Sequence, residues 1–140
     1  MLTDILPDLP YRPLKRLVRT IRIRYATIPW PDRPAIVVDV PADELERQLR
    51  DSGWEGMLLS YHYEGEELNL RRPAGVDPET DMQLEDHVRG RPTEDGLELI
   101  AHREASRYEH KTAHIDPDTP PTPRWLNPHE LDAVLFDDPP

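Results

Sequence analysis

Proline decides where this chain can build a sheet. It fixes φ and donates no backbone hydrogen bond, so a cluster of prolines stays extended and outside strand ladders. The chain has 17 prolines in 140 residues, more than twice the usual share of about 5%. Pro7, Pro10 and Pro13 lie in the first stretch, Pro29, Pro31 and Pro34 in "IPWPDRP", and Pro117, Pro120, Pro121 and Pro123 in "DPDTPPTPR". This layout predicts three parts. Residues 1–34 form a basic proline-containing arm with a helix–strand segment, 35–116 a compact α+β core, and 117–140 a proline-rich linker with a C-terminal helix.

Between the prolines the patterns are local. "PLKRLVRTI" reads as a short helix, and the alternation of Ile21, Ile23 and Tyr25 as a strand. "AIVVDV" (35–40) reads as a buried strand by its β-branched run. "PADELERQLRDSG" carries helix start and stop signals, with acids first, Arg last and Gly53 as stop, and Leu45 and Leu49 on its apolar face. "WEGMLLSYHY" (54–63), "LNLRR", "MQLEDHVRGR" (82–91) and "LELIAHRE" read as strands, the last two joined by a turn at Glu94–Asp95 with Gly96 left-handed. "NPHELDAVL" opens with Asn127 as cap, Pro128 first in the helix and Glu130 in the capping-box position. The expected fold is α+β: a small antiparallel sheet of four to six strands, one main helix, extended arms and a short terminal helix.

Charge narrows the environment. Formal net charge is −11, with 28 acidic against 17 basic residues, and Lys15 and Lys111 are the only lysines. The pI is about 4.9 and mean hydropathy −0.75. Many carboxylates with few lysines keep a surface hydrated in concentrated salt, a lever of halophilic proteins. The first 34 residues hold seven basic and three acidic side chains, so a basic segment precedes an acidic body. Cysteine is absent, which excludes disulfides and thiolate metal sites. The N-terminal sequence lacks a signal peptide's charged start and apolar run, and no stretch approaches the roughly 18 apolar residues of a membrane span. A soluble protein, in the cytoplasm of a halophilic host or in a virion, is expected.

Chemistry can rest only on histidine. His110 and His114 are four apart, and with His102 and Glu104 they could ligate one ion, but Lys111 stands where the zincin pattern requires Glu. A second arrangement is open. The Glu94–Asp95 turn brings His87 near His102, and Glu85 and Glu104 share their strand faces, but a one-residue slip destroys that convergence. The blander reading, surface histidines paired with carboxylates, is preferred, so no metal, cofactor or catalytic residue is assigned. His62, between Tyr61 and Tyr63, reads as a half-exposed strand residue. No phosphate loop, dinucleotide fingerprint, EF-hand or nucleophile elbow is present.

"SGWEGMLLSYHY", "LNLRRP", "HVRGRPTEDGLELIAHRE" and "YEHKTAHID" together resemble short uncharacterised proteins of haloarchaea and their integrated or tailed viruses, over about residues 40 to 116. The resemblance implies a mobile-element or virion protein and carries over no catalytic residue. The leading expectation is a non-enzymatic structural or interaction protein, a subunit of an assembly such as a head–tail or tail component of a haloarchaeal virus. Its partners would be other protein subunits, homo- or hetero-oligomeric, gripped through Arg12, Arg16, Arg19, Trp30 and Trp125. Two alternatives are a metal-dependent hydrolase or nuclease using His102, Glu104, His110 and His114, and a nucleic-acid-binding accessory protein using the basic strip. Nucleic acid is the weaker partner, because the acidic body repels it and salt weakens phosphate contacts.

Overall fold

The computed structural model describes residues 27–56, 62–106 and 124–137. The expected helix and strand before residue 26 lie outside them. The described elements are strands β1 (Thr27–Ile28) and β2 (Ile36–Val38), helix α1 (Ala42–Asp51), strands β3 (Glu55–Gly56), β4 (His62–Tyr63), β5 (Leu68–Val76), β6 (Gln83–Thr93), β7 (Gly96–Ala105) and β8 (Arg124–Trp125), and helix α2 (Pro128–Phe136). Six strands form one sheet in the order β2-β7-β6-β5-β3, with β8 also on β7. Every pairing within it is antiparallel. The α+β fold with a small antiparallel sheet is therefore present.

The sheet is organised by the β6–β7 hairpin. Its turn is Glu94–Asp95, closed by the Thr93↔Gly96 pair. Gly96 sits at φ 134°, and a Cβ there would fall 2.7 Å from the Val38 carbonyl oxygen. Only glycine meets both conditions, which lets β2 lie close against the start of β7. Farther along the same edge of β7, β8 takes over: His102 pairs with Trp125 and Arg103 with Arg124. The two prolines inside strands occupy positions where a neighbour has ended. Pro73 lies past the last β3 pair and Pro92 past the last β5 pair, so neither breaks a two-sided ladder.

One face of the sheet carries the core. Leu68, Leu70, Val88, Leu97, Leu99 and Ala101 project there and pack with Leu45, Leu49 and Trp54 and with Leu126, Leu131 and Leu135. Helix α1 is amphipathic as its spacing requires: its only buried residues are Leu45 and Leu49. Gly53, at φ 94°, follows it. Helix α2 begins with the expected capping box, in which Glu130 N–H donates to Asn127 Oδ1 at 2.8 Å and Asn127 N–H to Glu130 Oε1.

Three local expectations change. The segment "AIVVDV" is an edge strand, with Val37 51% exposed, because no strand lies outside it among the described residues. The two ends of "WEGMLLSYHY" belong to different sheets: β3 pairs with β5, whereas β4 pairs in parallel with β1. The linker before the terminal helix lies outside the described residues, and the helix itself closes the core, with Leu131 fully buried. It is apolar enough to be drawn onto the sheet's open face, which α1 alone leaves uncovered.

Truncating Leu131→Ala should therefore cost roughly 2–5 kcal/mol of unfolding free energy, whereas Phe136→Ala, at an exposed position, should cost under about 0.5 kcal/mol. Urea denaturation in molar KCl measures both.

Candidate functional site

Alternation along β6 separates two sets of side chains. Leu84, Asp86, Val88 and Gly90 point to the core face; Glu85, His87, Arg89 and Arg91 point to the other. Register extends this second face across the sheet. Glu55 pairs with Arg71, Arg71 with His87, His87 with His102 and His102 with Trp125, one continuous row over five strands. The pair Glu85↔Glu104 lies one step along. Such a row reads in sequence as a solvated face, yet Glu85, His87, Arg89 and His102 are each at most 4% exposed.

Burial of this many charges requires partners, and they are present. Arg71 reaches Glu55 at 2.7 Å and Glu85 at 3.4 Å. Glu66, in the turn after β4, takes His62 Nδ1 at 2.8 Å on one oxygen and Arg89 on the other. Arg89 also stacks 4.6 Å from the Tyr63 ring centre. His62 is thus buried against the Glu66 carboxylate, 1% exposed instead of half-exposed. Burial pushes the Glu66 carboxyl up, but the His62 hydrogen bond and the charge and hydrogen bond of Arg89 outweigh it and leave the pKa below the ordinary value. On the core face, Arg103 holds Asp86 through both carboxylate oxygens at 2.7 and 2.9 Å.

The histidines of the hairpin converge. His87 and His102 are direct cross-strand partners with ring centroids 5.2 Å apart. His102 Nε2 lies 3.3 Å from Glu104 Oε1. One ligand-capable atom from each of His87, His102 and Glu104 falls within 4.8 Å of the others. His87 Nε2 also meets Asn69 Oδ1, and Asn69 Nδ2 donates to Glu66 Oε2 at 3.3 Å. Of the residues singled out for metal, the structure brings His102 and Glu104 together with His87. His110 and His114 lie outside the described residues. Pairing of histidine with carboxylate is as expected for His102; its near-complete burial is not.

The two proline-flanked tryptophans lie on the chain's own sheet. Trp30 donates through Nε1 to Glu98 Oε1 at 3.0 Å, packs edge-on against Tyr63 and carries Arg91 over its ring. Trp125 sits against His102 with centroids 5.2 Å apart, and Arg33 lies 5.1 Å from its ring centre. Arg12, Arg16 and Arg19 lie outside the described residues. Sequence reading missed the Glu66–His62–Arg89 and Asn69 contacts. Their only signal was the charged alternation of "EDHVRGR" beside "EGEE", which reads equally well as surface.

Comparison with family models, curated proteins and solved structures gives no match. No helix among the described residues is long and apolar enough to cross a membrane.

The lowered Glu66 pKa has a pH consequence. Its stabilisation is fully present above the unfolded carboxyl value of about 4.3 and is lost as pH falls through the lower folded value. Urea unfolding should show this loss in wild type, while Glu66→Gln flattens it and costs roughly 3–5 kcal/mol at neutral pH by stranding Arg89.

Proposed function

We propose that the protein is a non-enzymatic interaction protein, a subunit of a larger assembly such as a head–tail or tail component of a haloarchaeal virus. It would act in the cytoplasm of a halophilic host or in the virion. The observation that carries this reading is the outer edge of β2. Ile36, Val37 and Val38 pair with β7 on one side, and no strand pairs with the other among the described residues. Val37 is half exposed there, and no charge or proline interrupts the three residues.

An open edge of this kind accepts an extended segment through backbone hydrogen bonds. A proline-containing segment of another subunit would favour an extended backbone, and its non-proline residues could supply those bonds. The charged groups on the opposite face speak for the same reading: Arg71, Arg89, Glu66 and Glu85 are engaged within the fold in ion pairs. The exposed surface left to the acidic body suits selective contact in concentrated salt, where apolar and backbone contacts persist and long-range charge attraction is screened.

Light scattering on the full chain in molar KCl should show a discrete oligomer. Val37→Lys should return it to monomer while changing unfolding free energy by under about 0.5 kcal/mol. A wild type that is monomeric at every salt concentration overturns the reading, as does an oligomer indifferent to Val37→Lys.

A further inference from the structure

We propose that His87, His102 and Glu104 form a site for one divalent transition-metal ion of the zinc class. The site is separate from the β2 edge and does not depend on the assembly reading. Two imidazoles and one carboxylate converge, with ligand-capable atoms within 4.8 Å of one another. The His102 Nε2 to Glu104 Oε1 separation of 3.3 Å already matches a tetrahedral edge. Ligands at about 2.0–2.1 Å from an ion at a tetrahedron's centre are about 3.3–3.4 Å apart. The other separations, within 4.8 Å, are close enough for small side-chain shifts to complete the set.

Neighbouring contacts orient the first histidine. Asn69 Nδ2 donates to Glu66, which turns its Oδ1 toward His87 Nε2. That nitrogen then carries the proton, and in the neutral ring the lone pair is on Nδ1. A ligating histidine ordinarily gives its other N–H to an oxygen in this way, fixing its tautomer. His102 is held between the rings of His87 and Trp125, each with its centroid 5.2 Å away.

Ligand type narrows the choice of ion. Glu104 sets its carboxylate beside His102 Nε2, and Glu85 faces Glu104 one step along the same face. Imidazole with carboxylate and no thiolate selects zinc, cobalt, nickel or copper over magnesium and calcium, which prefer oxygen alone. His87 and His102 are 3% and 4% exposed, so the ion would cross-link the middle of the hairpin beneath the surface. Three protein ligands leave a fourth position for water or a further group.

The full chain, stripped with chelator and dialysed into molar KCl, is titrated with cobalt(II) and then displaced with zinc(II). The expected result is one equivalent of cobalt with visible d–d absorption, lost on zinc addition, and a higher melting temperature with either ion. His87→Gln and His102→Gln should each abolish saturable binding, and Asn69→Ala should weaken it about 10–100-fold. His110→Ala with His114→Ala should leave it unchanged. Circular dichroism confirms that each variant is folded, and a misfolded glutamine variant is replaced by Glu104→Gln, which keeps both rings. A folded wild type without saturable cobalt binding overturns the proposal. So does binding that survives the hairpin substitutions and vanishes with His110 and His114.

Discussion

The pairing of β6 with β7 sets what every other element meets. Its register runs from Thr93↔Gly96 at the turn to Leu84↔Ala105 at the far end. Because side chains alternate, this one alignment puts Val88, Leu97, Leu99 and Ala101 under the helices and Glu85, His87, Arg89, His102 and Glu104 on the opposite face. A slip of one residue on either strand would send leucines outward and strand charged groups in the core. The tight turn and the glycine at its end guard against that slip. Gly96 admits the positive φ, and the missing Cβ leaves room for the Val38 carbonyl.

The second face shows how a strongly acidic chain uses its arginines. Glu66 receives His62 and Arg89, Arg71 spans Glu55 and Glu85, and Arg91 reaches Glu98 at 3.3 Å. Buried pairs of this kind add little stability over apolar residues of equal volume. Their value here is selectivity. Arg71, Arg89 and Arg91 each meet a carboxylate in this register, so a wrong one leaves several charges unpaired at once. Buried pairs are also screened less by salt than exposed ones. Tyr63, Trp30 and Trp54 offer ring faces to Arg89, Arg91 and Arg72 at 4.6 to 4.8 Å, covering guanidinium planes that would otherwise be dehydrated without compensation.

Edge and interior divide the functional prospects. Strand β2 is short and apolar, and no strand pairs with its outer side among the described residues. The histidine pair is deep in the hairpin and flanked by carboxylates, the geometry of a staple.

Much of the architecture was legible locally. Helix α1 followed from its acidic start, its two leucines and Gly53; α2 from the Asn127–Pro128–Glu130 cap; the hairpin from a two-residue acidic turn before glycine. These signals act over a few residues and depend on backbone sterics and hydrogen bonding close by. The candidate site was legible only as alternatives, because Glu85, His87, His102 and Glu104 converge in one register and separate in the next. The edge position of β2, the split of residues 54–63 between two sheets, the seating of α2 in the core and the burial of the charged face were decided by tertiary structure. A β-branched run reads the same at an edge as in the interior, and a charged alternation reads the same whether water or another layer lies against it. The sequence by itself determined which segments become helix or strand and which residues share a face. What each face meets depended on strand order, a long-range choice that no local pattern encodes.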